Sequence, residues 1–384
     1  MILLDLTHTS HTRARTGIQR VCRALHRELG SRGVATSVTW DPYAKEWRKL
    51  EPWELENLGA GKASPKRGTT WPVSSHLRGR FRKWRSKHAN LGASPQGLIV
   101  PELFSADAAA AMPALFSGVA GPKVALFHDA IALKFPELSP VKTVARFPSY
   151  LQELARFDGI AAISADSRDT LLDYWRWLGL ANTPPVETIP LGIDAPANPT
   201  GITPGKEPIV LCIGTIEGRK NHPALLEACE RLWEQGSVFA LRLVGLAQVE
   251  TGKAALATIA RLQSRGRAIR YDGPASDTEL LEAYRECHFT VYPSLIEGFG
   301  LPVLESLAHG KPCICSAKGA LGESAKGGGC IALEKVDAAS LAPAIARLLS
   351  DEAEPASLSL AARERKLCSW SNYGDALLAW MNSL

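Results

Sequence analysis

The sequence has no long apolar run and no closely paired cysteines, and these absences exclude several kinds of protein. No uninterrupted stretch in its 384 residues approaches the roughly 20 apolar residues that a membrane-spanning helix needs. The opening apolar run stops at Asp5, which is too early for the apolar core of a secretory signal. None of the eight cysteines stands at C-x-x-C spacing, so they are interpreted as reduced core thiols of a cytoplasmic protein.

Two further motifs are missing, and each would have indicated a different chemistry. Neither candidate strand–helix junction carries G-x-G-x-x-G, which disfavours a dinucleotide site. No Asp-x-Asp stands at a strand end, which disfavours a metal-dependent transferase. Cys313 and Cys315 lie on one face of a predicted strand and could bind a soft metal, but no His or further Cys is expected in register with them. We therefore expect neither a metal nor a cofactor.

Acidic residues are absent between residues 61 and 101, and this segment is rich in cations and aromatic rings. Its nine basic residues are Lys62, Lys66, Arg67, Arg78, Arg80, Arg82, Lys83, Arg85 and Lys87, and Trp71, Phe81 and Trp84 stand among them. Such a segment suits an anionic surface, namely a phospholipid, a lipid diphosphate or a nucleic acid. A solvated basic loop is the alternative, and both interpretations stay open at this point.

Apolar strands alternate with amphipathic helices along most of the chain, which predicts an α/β protein with parallel sheets. At 384 residues and 46% hydrophobic content, two domains are favoured over one. The Pro- and Gly-rich stretch 196–208 is the predicted linker between an N-terminal domain (1–195) and a C-terminal domain (209–368). Residues 41–95 break the alternation and are interpreted as a basic insertion, and residues 369–384 form a predicted closing helix.

A short segment near the C-terminal end is framed by Glu297 and Glu305, with Gly298, Gly300 and Pro302 between them. A buried strand precedes it, so the pattern predicts a strand, a glycine loop that contains an acid, and then a helix N-terminus. Unpaired N–H groups and the positive helix dipole at such a start suit a phosphate or sugar hydroxyls. Glu305, in the first turn of the predicted helix, can accept hydrogen bonds from a diol.

A predicted strand at 209–213 ends at Gly214 and is followed by Arg219 and Lys220. Two adjacent cations beside a helix N-terminus can neutralise a diphosphate, because Arg offers a fork of donors and Lys a point charge. A solvated pair of charges is the alternative, but the preceding strand and glycine favour phosphate binding. These cations indicate a charged leaving group, which argues against a hydrolase of two acids.

In the N-terminal half, His128 and Asp129 follow an apolar strand at 124–127. They therefore lie at the edge where open α/β sheets bind ligands, although a lone His is more often structural. Gly17 and Arg20 lie where the loop after the first strand enters its helix, and Arg20 can point to a ligand or to solvent.

Ser164 and Arg168 follow another predicted strand, at 160–163. Ser164 fits the N-cap position of a helix as well as it fits a phosphate contact.

Together these features resemble the retaining glycosyltransferases of family GT4. Residues 297–305 resemble the signature of that family, and residues 214–221 resemble its diphosphate-binding turn. Residues 189–194 are similar to the end of its N-terminal domain, and the motifs at 127–129 and 16–20 to parts of its N-terminal half. The likeness covers almost the whole chain, and it is greatest to bacterial mannosyltransferase-like members that build O-antigen and capsule.

The resemblance implies a GT-B fold, in which two Rossmann-like domains face each other across a cleft and the last helix crosses back to the N-terminal, acceptor-binding domain. It implies transfer of a hexose, mannose or a related sugar, from a nucleoside-diphosphate sugar to a hydroxyl, with retention. The acceptor would be a glycan or a lipid-diphosphate-linked molecule of cell-surface polysaccharide synthesis. We expect a cytoplasmic protein with peripheral contact to an anionic membrane at the inner face of the plasma membrane, and no nucleic-acid partner.

Specific residues acquire roles from the same resemblance. The implied catalytic residues are His128, Arg219, Lys220 and Glu297. The implied nucleotide- and donor-binding residues are Gly17, Gly214, Arg219, Lys220, Glu297, Gly298, Phe299, Gly300, Leu301 and Glu305. The implied acceptor or phosphate contacts are Arg20, Asp129, Ser164 and Arg168. Two adjacent glycines are usual in the family where this sequence has Thr16 and Gly17.

Two other functions fit the same features. A nucleotide-sugar 2-epimerase of similar architecture would release free sugar and nucleotide without an acceptor. A non-catalytic assembly subunit would use the basic segment and bind nucleotide weakly or not at all. The sequence names neither the sugar nor the base, because bases in this fold are read mostly by backbone groups.

Overall fold

A computed structural model describes residues 1–59, 68–85, 91, 94–196, 199, 207–350 and 352–384, without the side chains of Lys83 and Arg85. The chain forms two compact units. The N-terminal unit comprises Met1–Lys134, Pro140–Leu191 and Trp370–Leu384, and the C-terminal unit comprises Phe135–Ser139 and Gly192–Ser369. The sequence analysis put the division at residues 196–208, most of which lie outside the described residues, and it assigned residues 135–139 to the N-terminal domain.

The elements of the first half of the chain alternate between strands and helices. They are β1 (Ile2–Asp5), α1 (Gly17–Ser31), β2 (Ala35–Asp41), β3 (Glu46–Lys49), α2 (Pro52–Leu58), α3 (Val73–Arg85), β4 (Gly97–Val100), α4 (Ala106–Ser117), β5 (Lys123–Phe127), α5 (Ile131–Lys134), α6 (Val141–Leu154), β6 (Gly159–Ala162), α7 (Ala165–Trp177) and β7 (Val186–Thr188).

The second half repeats the alternation. Its elements are β8 (Ile209–Ile213), α8 (His222–Glu234), β9 (Ala240–Val244), α9 (Lys253–Ser264), β10 (Ile269–Tyr271), α10 (Asp277–Glu286), β11 (Phe289–Tyr292), α11 (Leu301–Ala308), β12 (Cys313–Ser316), α12 (Gly319–Ala325), β13 (Cys330–Leu333), α13 (Ala338–Ser350), α14 (Ala353–Glu364) and α15 (Trp370–Met381). No helix among the described residues is long and apolar enough to cross a membrane.

Each unit is built on one sheet. The N-terminal sheet has the order β3-β2-β1-β4-β5-β6-β7, and every pairing in it is parallel except the antiparallel pairing of β2 with β3. The C-terminal sheet has the order β10-β9-β8-β11-β12-β13 and is parallel throughout. The predicted α/β class with two Rossmann-like sheets is confirmed.

The strand orders fix where each unit can bind a ligand. In the N-terminal sheet the chain proceeds outward from β1 to β2 and later returns to the other side of β1 with β4. In the C-terminal sheet the direction reverses between β8 and β11. Open α/β sheets bind ligands outside the carboxyl ends of the strands at such a reversal. Ligand sites are therefore expected at the loops that follow β1 and β4 and at those that follow β8 and β11.

Several strands are buried along their whole length, as in β4, β6, β11 and β12. This pattern is expected of parallel strands with helices on both faces, and it explains why they appear in the sequence as continuous apolar runs. The last helix, α15, packs on α1, where Arg32 donates to Asp375 at 2.5 Å and also pairs with Glu28. Residues 370–384 thus belong to the N-terminal unit.

The part of residues 41–95 that the structure describes contains three elements that the sequence analysis did not predict, namely β3, α2 and α3. They are joined to the rest of the unit by a buried charge network. The guanidinium of Arg48 donates to Asp41 at 2.9 Å and to both carboxylate oxygens of Glu54 at 2.7 Å. Glu54 also lies 2.8 Å from the Nε2 atom of His11, in the loop after β1. The described part of this region is therefore bound to the edge of the sheet.

We expect Arg48→Met to destabilise the protein strongly. The substitution leaves the buried carboxylates of Asp41 and Glu54 without their cation, and breaking a buried pair in this way typically costs about 3–5 kcal/mol. The free energy of unfolding, measured by urea denaturation, should fall by an amount in that range.

The matched control is Arg176→Met. Arg176 pairs with Asp173 at 2.6 Å, but their side chains are 76% and 69% exposed, so the loss should stay below about 1 kcal/mol. Equal losses for the two variants would show that the Arg48 network does not stabilise the fold.

Candidate functional site

The principal site lies at the strand reversal of the C-terminal unit. After β8 the chain passes through Gly214 and a 3₁₀ turn, Gly218–Lys220, before α8 begins. After β11 it forms the loop 293–300 and enters α11. Because β8 and β11 are neighbouring parallel strands, both loops emerge at the same edge of the sheet. The two motifs that the sequence analysis found separately therefore meet in space.

Where the two loops meet, they form an ion-pair cluster centred on Glu297. Its Oε2 atom accepts a hydrogen bond from Nη1 of Arg219 at 2.6 Å, and its Oε1 atom pairs with the ammonium of Lys220. The Nε atom of Arg219 also lies 2.8 Å from a carboxylate oxygen of Glu217. One guanidinium thus spans two carboxylates, which the fork of an arginine can do and the single ammonium of a lysine cannot.

The electrostatics of Glu297 follow from this arrangement. Burial alone would raise the pKa of its carboxyl group, but the charges of Arg219 and Lys220 outweigh burial and lower the pKa to about 2. The group is therefore ionised at any physiological pH. The cluster holds two cations and two carboxylates at fixed positions, the kind of preorganised charge that can stabilise a leaving anion.

Glycine is required at two positions around this cluster. Gly214 has a φ of +152° and packs on the side chain of Lys220, whose Cε atom is 3.7 Å from where a Cβ would stand. Gly300, the N-cap of α11, has a φ of +104°, and a Cβ there would lie 2.9 Å from Oγ of Ser324. The same Ser324 hydroxyl donates to the carbonyl of Phe299 at 2.5 Å, which fixes the glycine loop.

The helix that follows begins at Leu301, so Pro302 is its second residue. Glu305 is the fifth residue of α11 and lies in its second turn, so the sequence-based placement in the first turn is wrong. Its side chain is buried, and its Oε2 atom accepts a hydrogen bond from the hydroxyl of Tyr284 at 3.2 Å. Tyr284 in turn lies 3.2 Å from the hydroxyl of Tyr292. Glu305 is thus held in place by Tyr284, which Tyr292 contacts in turn, and the sequence analysis singled out neither tyrosine.

In the N-terminal unit, His128 follows β5 and is buried. Its Nε2 atom lies 2.7 Å from the carbonyl oxygen of Pro101, which fixes Nε2 as the donor nitrogen. Burial lowers the pKa of the ring, against the hydrogen bond to Pro101, so His128 is neutral and Nδ1 carries the lone pair. Asp129 caps the short helix α5 by accepting from the N–H of Ile131 at 3.0 Å, whereas the ring of His128 is oriented by Pro101.

Gly17 is the first residue of α1, behind a Thr16 N-cap that forms a capping box with Gln19. No atom lies within 4 Å of where a Gly17 Cβ would stand, so the backbone is open to close approach there. Arg20 is half-buried one turn into the helix.

Ser164 and Arg168 have structural partners. The Ser164 hydroxyl caps α7 by accepting from the N–H of Ser167 at 3.1 Å, so the N-cap interpretation is the one the structure supports. The guanidinium of Arg168 pairs with the neighbouring Asp169, with Nε at 2.9 Å from a carboxylate oxygen. These two residues lie at the carboxyl end of β6, one strand beyond β5 and His128.

Sequence analysis missed the acid at the strand reversal of this unit, Glu102. It is buried two residues after β4, and its carboxylate accepts from the backbone N–H groups of His8 and Thr9 and from the Thr9 hydroxyl. Asp5, at the end of β1, is a second buried acid, and its charge acts on Glu102. Burial, and then the charge of Asp5, raise the pKa of Glu102 to about 8. The sequence did offer a signal for Glu102, because this acid follows a strand and a proline at the end of the acid-free segment.

The expectation that no further Cys lies in register with Cys313 and Cys315 is wrong. Cys330 on β13 pairs in register with Cys313 on β12, so a further Cys does stand beside the Cys313–Cys315 face. The three sulfur atoms lie within 4.8 Å of one another, which among the described residues is the one group of this kind with soft donors. Three thiols without a fourth protein ligand do not complete the tetrahedral site that zinc prefers.

Comparison with known proteins agrees with this geometry. Residues 199–365, which contain the Glu297 cluster, match the family described as Glycosyl transferases group 1. The match lies within the C-terminal unit, which has its charged cluster at the edge of the sheet where the strand order reverses.

Two curated relatives are also similar to this chain. The chain is 26% identical over 343 residues to the serotype-specific mannosyltransferase WbdA of Escherichia coli, and the match covers 82% of this chain but 38% of WbdA. It is 35% identical over 164 residues to the O-antigen chain mannosyltransferase B of Escherichia coli, covering 42% of each protein. The chain thus spans well under two thirds of the relatives that it matches.

Solved structures show the fold of the whole chain. Anabaena Alr3699/HepE in complex with UDP and glucose superposes with a TM-score of 0.68 at 15% identity, covering 100% of this chain and 99% of that one. A sucrose-phosphate synthase from Thermosynechococcus elongatus gives 0.68 at 20% identity, with 100% and 98% covered. The expected GT-B fold, with its two Rossmann-like units, is confirmed, and the chain is similar to mannosyltransferases.

We expect stability to fall as the pH rises, because of Glu102. Its pKa is raised to about 8, and burial raises that of Asp5 to about 6, so the native state binds more protons than the unfolded state between about pH 5 and 8. Stability from a raised pKa is present at low pH and is lost as the pH passes through the folded value. Glu102→Gln should flatten the dependence of the unfolding free energy on pH over that window.

Urea denaturation at several pH values tests this expectation. Glu187→Gln, at an exposed position on β7, is the control and should keep the wild-type slope. A Glu102→Gln protein with the wild-type slope would show that Glu102 is not the titrating group.

Proposed function

We propose that the protein is a retaining glycosyltransferase of GT4 type. It moves a hexose, mannose or a related sugar, from a nucleoside-diphosphate sugar to a hydroxyl of a glycan or lipid-diphosphate-linked acceptor in cell-surface polysaccharide synthesis. The observation that carries the proposal is the Arg219–Lys220–Glu297 cluster, which lies at the strand reversal of a glycosyl transferases group 1 domain. The similarity to mannosyltransferases supports the choice of sugar.

In this proposal the C-terminal unit holds the donor. Glu305 accepts hydrogen bonds from the ribose, and the backbone from Gly298 to Leu301 meets the sugar and phosphates at the start of α11. That a structural neighbour binds UDP and glucose supports a nucleotide sugar as the donor. Gly214 gives the close backbone approach that a diphosphate needs.

Arg219 and Lys220 stabilise the departing diphosphate in this scheme. The bond between the anomeric carbon and the diphosphate oxygen breaks, and its electron pair leaves with the diphosphate. The acceptor hydroxyl forms the new bond on the same face, and its proton goes to a diphosphate oxygen. No side chain acts as a covalent nucleophile, and the two cations supply the electrostatic stabilisation. His128, neutral and with a free lone pair on Nδ1, accepts a hydrogen bond from a donor-sugar hydroxyl.

The first test is turnover itself. Purified protein should transfer sugar to an acceptor glycan, and the donor is selected among GDP-, UDP- and dTDP-sugars by thermal shift. A ligand at 100 times its dissociation constant stabilises the folded state by about 2.7 kcal/mol. Because two cations take the place of a metal in this scheme, we expect the transfer rate to persist in excess EDTA. Loss of transfer in EDTA with recovery on adding Mg²⁺ or Mn²⁺ contradicts the scheme.

The same assay separates the alternatives. Release of free sugar and nucleotide without any acceptor supports a 2-epimerase, and failure to bind any nucleotide sugar supports an assembly subunit.

A second prediction concerns the two cations. Lys220→Ala should lower kcat/KM by ~10² or more, because removal of one preorganised charge-stabilising group typically costs ~2.7–4 kcal/mol. Arg219→Lys should also be harmful, because a lysine cannot bridge Glu217 and Glu297. Steady-state kinetics with the selected donor measure both effects.

Lys253→Ala, at an exposed position at the start of α9, is the control and should leave kcat/KM unchanged. Near-normal turnover in both Lys220→Ala and Arg219→Lys would remove the assignment of the diphosphate site.

A further inference from the structure

Helix α3 has its apolar side chains on the face that points to solvent. Val73, Leu77, Phe81 and Trp84 are 73%, 65%, 51% and 79% exposed. They follow one another at intervals of four, four and three residues, so at 100° per residue they fall within an arc of about 80°. These four residues form a continuous ridge, here called the α3 ridge.

The opposite face of α3 is small and polar, and this is the face that packs on the protein. Ser75 is buried, and Gly79 approaches the chain so closely that a Cβ there would lie 2.7 Å from Cβ of Tyr43 and 3.1 Å from the backbone nitrogen of Ala44. A helix of a soluble protein normally turns its apolar stripe to the core. Here the direction is reversed, which indicates that the α3 ridge is built for an apolar environment outside the chain.

Cations border the ridge. Arg80 is exposed, and Arg78 and Arg82 reach Glu51 at 3.1 and 2.8 Å while keeping 53% and 38% of their side chains exposed. No acidic residue occurs between residues 61 and 101, so the sequence around the ridge is purely basic. Lys83 and Arg85 add charge to the same helix, although their side chains lie outside the described set.

We propose that α3 lies in the plane of an anionic phospholipid surface, with the α3 ridge inserted at headgroup depth and the arginines on lipid phosphates. An apolar stripe with a cationic border is the arrangement of interfacial helices, and Trp and Phe are suited to the boundary between headgroups and acyl chains. Charge complementarity identifies the partner as a membrane. A second copy of the chain would bring the same cations together, and a nucleic acid gains no stacking surface from Val73 or Leu77.

This inference extends the proposed function, because it would bring the enzyme to a lipid-linked acceptor, but the docking itself needs no catalysis. It can therefore fail, or stand, independently of the transferase activity.

The experiment is co-sedimentation with vesicles in the absence of substrates. Wild-type protein should pellet with vesicles of phosphatidylglycerol and phosphatidylethanolamine, and much less with phosphatidylcholine alone or at high salt. The double variant Phe81→Ser, Trp84→Ser should weaken the partition coefficient by ~10-fold or more. Replacing Arg80, Arg82, Lys83 and Arg85 by Ser should weaken it by a similar factor at low salt.

The chain offers a matched control, Val141→Ser with Trp177→Ser, which removes side chains that are 80% and 78% exposed elsewhere on the N-terminal unit. This control should bind like the wild type. Trp84→Phe should retain binding but lose the fluorescence quenching that brominated lipids cause, because Trp84 is the ring expected in the lipid. Transfer of sugar to a soluble acceptor glycan should be the same in all these variants.

Three results would overturn the inference. One is a wild-type protein that does not pellet with anionic vesicles at low salt. Another is equal vesicle binding by the Phe81→Ser, Trp84→Ser variant and by the Val141→Ser, Trp177→Ser control. The third involves a single-stranded oligonucleotide that binds the wild type and the Phe81→Ser, Trp84→Ser variant equally. If this oligonucleotide releases the protein from vesicles, the segment is a polyanion site. Docking without any transferase activity leaves the inference standing and refutes the proposed function alone.

Discussion

The carboxylate of Glu297 is the counter-charge that holds two loops of the C-terminal unit together. Arg219 and Lys220 come from the loop after β8, and Glu297 comes from the loop after β11, so their ion pairs join two segments that are 77 and 78 residues apart. With Glu217, the cluster carries two positive and two negative charges and is neutral by itself. Under the proposed function, a diphosphate must therefore compete with Glu297 for the cations. The carboxylate released in that way would accept hydrogen bonds from the donor sugar.

Those features could be predicted because each is local in sequence. The strand that ends at Gly214, the cations five and six residues later, and the glycine loop before Pro302 are contained within short windows, and parallel strands align their carboxyl ends. The sequence also predicted the α/β class, because parallel strands buried on both faces leave continuous apolar runs. What it could not supply was the pairing partner of each group. Glu297 was expected to hold the sugar, and nothing in its neighbourhood indicated that it would bridge Arg219 and Lys220.

The sequence analysis missed contacts between residues that are far apart in the chain. It also could not tell whether an apolar helix face points to the core or to solvent. Glu102 binds the loop after β1 across more than ninety residues, and Cys330 enters register with Cys313 only through the pairing of β12 with β13. The α3 ridge has clear helical spacing, yet spacing alone predicts a face that turns inward. It is the close approach of Gly79 to Tyr43 that fixes the opposite orientation. A one-residue error in the start of α11 likewise moved Glu305 from the second turn to the first.

The described part of residues 41–95 links α3 to the loop after β1 through one hydrogen-bonded network. Asp41 is common to both sides: its Oδ2 atom accepts from Arg48, and its Oδ1 atom accepts from the N–H groups of Tyr43 and Ala44, on which α3 is seated. Arg48 continues to Glu54, and Glu54 to Nε2 of His11, whose Nδ1 lies 2.6 Å from the carbonyl of Thr7. A path of hydrogen bonds thus runs from the base of α3 to the loop that leads to Gly17.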